Sequence, residues 1–262
     1  MAEWATHGAL MIAAWLGFAA TGVLLPTYFR GDFPGKKILN KDLWFAGHWL
    51  LMNLALLFTV ISFIVIYNYE GWKQEKNNHS ALGLFVCILA FVQPLAAAFR
   101  PGPTSEWRPA FNWIHWAVGN LILFLAYYNS FLGLGRVGSS QGIYLLGFFV
   151  VFNVFVHFAI QVLYFFLRIR KIVDGCFCPP MITLSGAIPI NYSPDSPSQK
   201  LEKNLAAGEE TDTNRVAPSA TFNLSALKNQ GGIGDLARKG LLVLHFIVAW
   251  GVVIALGIII TK

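Results

Sequence analysis

Six stretches long enough to cross a bilayer, which takes about 20 apolar residues, contain no Asp, Glu, Lys or Arg. They run from about Gly8 to Leu25, Leu43 to Tyr67, His79 to Phe99, Phe111 to Gly135, Ile143 to Leu167 and Gly240 to Thr261. A water-soluble domain interrupts its apolar runs with charge every turn or two to keep one face wet. The chain is 56% hydrophobic and 12% charged, with a mean hydropathy of +0.56. Both observations point to lipid as its main solvent. The expected fold is an all-α membrane protein with six transmembrane helices. Residues 1–171 would form a five-helix core, 172–238 a flexible loop rich in Ser, Pro, Asn, Gly and charge, and 239–262 the sixth helix. Pro26 and Pro94 fall near helix ends, where a missing backbone donor is best tolerated.

Basic residues set the orientation. On the side holding Met1, side A, are Lys73, Lys76, Arg136 and Lys262. Side B holds Arg30, Lys36, Lys37, Lys41, Arg100, Arg108, Arg168, Arg170 and Lys171, and the loop adds Lys200, Lys203, Arg215, Lys228, Arg238 and Lys239. Side B is therefore expected in the cytosol and both termini outside the cell or in a lumen. Topology and anionic lipid account for the net charge of +6 without nucleic acid. Cys87, Cys176 and Cys178 are too few for a disulfide framework. Cys87 reads as a small apolar residue inside the third run. Cys176 and Cys178 read as a reduced pair or as palmitoylation sites beside the basic cluster.

The histidines carry the chemistry. Ionisable groups inside spans are costly and commonly functional, and His7, His48, His79 and His115 each fall within the first turns of the first four runs. Successive spans reverse direction, so His7 and His79 share the depth near side A, and His48 and His115 that near side B. A single interfacial histidine is most simply a headgroup contact; four in matched pairs select metal ligation. Closed zinc sites want four ligands at short spacing. Two imidazoles from separate helices instead suit an iron porphyrin, which brings four equatorial nitrogens of its own. Such an iron has no open position, which favours electron transfer over oxygen chemistry. With one centre near each face, the irons are expected ~20 Å apart.

Asn153, His157 and Gln161 are spaced four apart and read as a polar stripe facing the bundle. Trp44 and Trp113 read as interfacial belt residues, while Phe45, Trp49 and Trp116 are candidates to pack on a porphyrin. Gly8, Gly47, Gly83 and Gly119 lie within four residues of the ligands, where backbone would have to pass close to a flat macrocycle. No carboxylate lies inside a run, which argues against a proton or metal-ion transport path.

The segments HGALMIAAW at His7, WFAGHWLLM at His48, HSALGL at His79 with Gln93 and Arg100-Pro101 downstream, and RPAFNWIHWAVGN around His115 resemble the cytochrome b561 family. The wording is nearest the ferric-chelate-reductase-like branch, whose core follows a DOMON domain; this chain is expected to carry the core without it. The resemblance covers roughly residues 5–170. It implies a four-helix core with two flanking helices, carrying two haem b groups, one on His7 and His79 and the other on His48 and His115. It implies ascorbate as cytosolic donor and a ferric chelate or monodehydroascorbate as outside acceptor. Arg108, seven residues before His115, matches an arginine that helps hold ascorbate; Lys41 and Arg100 are looser substrate candidates. The expected partners are thus ascorbate, the acceptor and the lipid bilayer, with a homodimer left open and the outer partner on a separate chain. The competing expectation is a non-catalytic membrane adaptor working through the 172–238 loop, which would be colourless.

Overall fold

The computed structural model describes residues 2–173 and 232–261 apart from Gly31, Pro34, Gln74 and Glu75, with the backbone alone for 167–173, 232 and 233. The expected loop therefore lies largely outside the described residues, as do Cys176 and Cys178. Among the described residues, six helices are long and apolar enough to cross a membrane. The first span runs from Ala2 to Tyr28 as α1 (Ala2–Ile12), a π-helical segment (Ala13–Ala19) and α2 (Ala20–Tyr28). The others are α3 (Leu43–Tyr69), α4 (Asn78–Ala98), α5 (Arg108–Arg136), α6 (Ser140–Val173) and α7 (Gly232–Thr261).

Each apolar run became a helix because lipid leaves the backbone no hydrogen-bond partner except itself. The helices outrun the charge-free stretches, since charged residues at the ends reach water or each other. This is clearest in α7, which starts at Gly232 rather than 239. Its first turns hold Asp235, Arg238 and Lys239, joined in a mutually neutralising cluster. Local signals fix other ends. Asn77 accepts the Ser80 amide at 2.9 Å and so caps α4, which sets His79 in its first turn. Pro109 begins α5, where its missing donor costs nothing.

The first span is the most enclosed, with 56% of its apolar window buried against 11–28% for the rest. Small residues make this burial attainable. Ala14 and Ala20 are fully buried, and Gly17 in the π-helical segment has only 3.2 Å between an added Cβ and the Trp250 ring of α7. Phe149 of α6 and Leu256 of α7 close this core, while large apolar residues on α3 to α7, such as Phe124, Val151 and Ile254, stay on the lipid-facing outside.

One element departs from the all-α expectation. Lys37–Ile38 and Lys41–Asp42 pair as an antiparallel hairpin between the first two spans. Its turn residues, Leu39 and Asn40, have φ of 49° and 60°. Two positive φ values in sequence define the turn that twists with the strands it joins, and asparagine tolerates that conformation best among residues with a side chain. Strands of two residues carry no periodic signal.

Candidate functional site

Near side A the structure brings His7 of α1 and His79 of α4 together, with ring centres 6.2 Å apart and planes at 89°. An imidazole nitrogen lies about 1.1 Å from its ring centre and binds a first-row metal at about 2.0 Å. Two imidazoles that held one metal ion between them would therefore have ring centres about 6 Å apart. The pair has that spacing.

The second nitrogens are equally telling. His79 Nδ1 lies 3.0 Å from the Asn129 carbonyl, His48 Nδ1 2.9 Å from the Gly22 carbonyl and His7 Nδ1 3.1 Å from the Ser62 carbonyl. A carbonyl only accepts, so Nδ1 carries the proton in all three rings and Nε2 is the lone-pair nitrogen. This is the arrangement by which proteins aim metal-binding histidines. Ser62 Oγ completes the first contact by donating back to the His7 carbonyl at 3.0 Å.

The acceptors are supplied by local backbone chemistry. Gly22 stands four residues before Pro26, which has no N–H, so its carbonyl lacks the usual intrahelical donor and takes the one from His48 instead. Asn129 stands four residues before Gly133, whose missing side chain lets the His79 ring approach. A Cβ added at Gly133 would sit 3.0 Å from His79 Cε1. Neither carbonyl stands out in the sequence, although a glycine four residues ahead of an intrahelical proline is a signal that could be searched for.

A cavity of about 1090 Å³ opens beside the His7 and His79 pair, bounded among others by Thr59, Phe63, Gly83, Val86, Cys87 and Asn129. It is cofactor-sized and mainly apolar, and the donor set facing it is two imidazoles. A b-type haem fits these residues. Of the glycines expected to admit a macrocycle, Gly8 and Gly83 line this cavity while also abutting Ile260 and Asn129, Gly47 abuts Leu25, and a Cβ at Gly119 would touch nothing within 4 Å.

Near side B, His48 of α3 and His115 of α5 stand close enough to interact electrostatically. His115 is stacked on Phe111 at 5.8 Å and 11°, and its buried Nδ1 has no partner among the described residues. Toward side B lies a pocket of about 350 Å³ lined by Lys37, Asn40, Lys41, Asp42, Trp44, Phe45, Arg100 and Arg108. All three substrate residues expected from the sequence thus meet at one place. Arg108 is oriented by donating to the Pro101 carbonyl at 2.6 Å and to Asn112 Oδ1 at 3.2 Å. The Arg100 guanidinium lies 5.4 Å from the Phe45 ring centre, and that of Arg30 5.2 Å from the Trp44 ring centre. Trp44, expected as an interfacial belt residue, is a wall of this pocket.

The stripe on α6 is shorter than expected. Asn153 is buried and donates to the Tyr127 hydroxyl at 2.8 Å, and His157 Nδ1 lies 3.1 Å from the Tyr28 hydroxyl, but Gln161 is exposed. Eight residues turn an α-helix about 80° past two full turns, which carries Gln161 off the buried face. His245 of α7 is fully buried beside Phe149 and Phe152.

With the geometry established, comparison with known proteins is decisive for family. The model of eukaryotic cytochrome b561 matches residues 6–139, which contain all four paired histidines. The chain is 39% identical over 154 residues to a putative ferric-chelate reductase 1 homolog of Drosophila melanogaster, an alignment covering 58% of this chain and 24% of that protein. It is 37% identical over 153 residues to ferric-chelate reductase 1 of Mus musculus, covering 56% and 26%. To a cytochrome b561 and DOMON domain-containing protein of Arabidopsis thaliana it is 27% identical over 139 residues, covering 52% and 36%. The chain thus spans about a quarter of the length of these animal relatives. No solved structure matches. With six membrane-length helices and more than half of its residues matched, the chain is a multi-pass membrane protein of the eukaryotic cytochrome b561 family, a family of b-type haem electron carriers.

Proposed function

We propose that this protein moves electrons across its membrane through two b-type haems, from ascorbate on side B, the cytosolic side, to a ferric chelate or monodehydroascorbate on side A. The observation that carries this reading is the set of paired histidines, three of which present Nε2 because Nδ1 is bound to a backbone carbonyl. His7 and His79 would hold one haem and His48 and His115 the other. A b-type haem held by such a histidine pair would supply reversible one-electron chemistry. The protein's own residues aim the imidazoles, keep water from the apolar cavity and gather cations at the donor face. The ferric-chelate reductase relatives support a ferric acceptor.

Ascorbate is a monoanion at neutral pH, and the side B pocket offers it Lys37, Lys41, Arg100 and Arg108. Arg108, held from behind by Pro101 and Asn112, presents its remaining N–H groups in a fixed orientation. Arg108→Ala is expected to retain both haems and to slow reduction by ascorbate by about 10- to 100-fold. Stopped-flow absorbance at the haem bands checks this, and an unchanged rate removes Arg108 from the donor site.

Pro26→Ala returns an N–H to the helix, which then competes with His48 for the Gly22 carbonyl. Outer partners of metal-binding histidines typically contribute about 10- to 100-fold to affinity. Weaker haem retention is therefore expected at the His48 site and unchanged retention at the His7 site, resolved by haem titration of the purified variant.

The deciding experiment on the function is the absorption spectrum of the purified protein before and after ascorbate, with haem measured per chain. Two six-coordinate b haems reduced by ascorbate are expected. A folded, colourless protein would overturn the reading.

A further inference from the structure

We propose that the amino-terminal end of α7 positions the side B cationic pocket, with Arg238 as the residue that holds it in place. The proposal rests on reading that pocket as the donor site, and it gives a role to a helix outside the region shared with the family model.

Arg238 is only 8% exposed, and both terminal nitrogens of its guanidinium find acceptors, while its buried Nε has no partner among the described residues. One terminal nitrogen donates to the Tyr28 carbonyl at 3.2 Å and to the Tyr164 hydroxyl at 2.9 Å. The other donates to Asp32 at 3.0 Å and to Asp235 at 2.6 Å. Its plane also lies over the rings of Tyr164 and Phe29, at 4.8 and 5.9 Å. Lys239 adds a bond to Asp235 at 2.5 Å and stands 5.1 Å from the Phe33 ring centre. Tyr28, Phe29, Asp32 and Phe33 all belong to the chain leaving the first span. The helix that closes the bundle is thereby tied to the start of the connection into α3.

That connection carries the pocket. The Lys36 amide donates to the Phe33 carbonyl at 3.1 Å and the Leu43 amide to the Lys36 carbonyl at 3.2 Å, so the hairpin of 37–42 hangs directly from the clamped segment. The hairpin brings Lys37, Asn40, Lys41 and Asp42 to the pocket. Its two-residue strands are exposed and too short to hold their own place. Arg30, inside the clamped segment, braces Trp44. Repulsion among Arg30, Arg100 and Arg108 works to spread this region. Arg100 and Arg108 are secured by Phe45, Pro101 and Asn112, whereas the opposite wall is secured through Arg238. Lysine cannot replace it, because one ammonium does not span two carboxylates, a carbonyl and a hydroxyl as a planar fork does.

The test uses the full chain carrying its haems, with Arg238→Gln, Arg238→Lys, Asp32→Asn and the Gln/Asn double variant. Arg238→Gln is expected to raise KM for ascorbate about tenfold while kcat changes less than about twofold. Amide hydrogens of 37–42 should exchange about tenfold faster, with those of the spans unchanged. Arg238→Lys should behave like Arg238→Gln, Asp32→Asn should give a smaller rise, and the double variant should be no worse than Arg238→Gln alone. An unchanged KM, or a raised KM without faster exchange at 37–42, overturns the proposal. If Arg238→Gln loses haem, Asp32→Asn, which leaves the guanidinium its other partners, decides by the same two readouts. If ascorbate fails to reduce the unaltered protein, the donor-site reading falls, while exchange at 37–42 still decides whether Arg238 holds the hairpin.

Discussion

Replacing His48 or His115 with alanine is expected to remove one of two haems and to slow reduction by ascorbate by on the order of a hundredfold or more. His48 is aimed by a carbonyl that Pro26 leaves without an intrahelical donor. His115 stacks on Phe111, and that ring offers no ligand atom. On the proposed reading of the side B pocket, an electron from ascorbate would lose its first acceptor. His7→Ala and His79→Ala should act differently, leaving a haem that ascorbate still reduces and blocking only delivery to side A. Difference spectra with haem counted per chain separate the two classes. Loss of the same haem from His7→Ala and His115→Ala would show the pairing by depth to be wrong.

Gly133→Val is expected to match His79→Ala in losing the side A haem, although residue 133 ligates nothing. The added Cβ alone would stand 3.0 Å from His79 Cε1 and 3.4 Å from Nδ1, and the branches of valine have less room still. Either the ring turns away and gives up its bond to the Asn129 carbonyl, or α5 backs away from α4. Both outcomes end the alignment of His79 with His7. The side B haem should stay reducible by ascorbate, and Gly133→Ala should fall between the two. Retention of two haems with normal reoxidation in the valine variant would show that His79 does not depend on this close approach.

The six spans were legible because transfer to lipid is decided residue by residue, and a charge-free run carries that information whatever surrounds it. The pairing of His7 with His79 was legible too, since alternating span direction fixes depth, and the structure places their rings 6.2 Å apart. The polar stripe was less legible. Spacing by four drifts around a helix, so Asn153 and His157 turn inward but Gln161 does not. The charged turn at 235–238 reads as loop in the sequence because the partners that neutralise its charges come from tertiary contacts.

The amino-acid sequence by itself determined the solvent, the number of spans and the depth of each histidine, since these depend on the local run of polarity and on chain direction. Only the tertiary structure decided which carbonyls hold the imidazole protons, that Lys41, Arg100 and Arg108 face one pocket, and that Arg238 reaches Asp32 from the far end of the chain. Those are contacts between distant segments. Their energies depend on rotation, close approach and burial, which arise only when the helices pack.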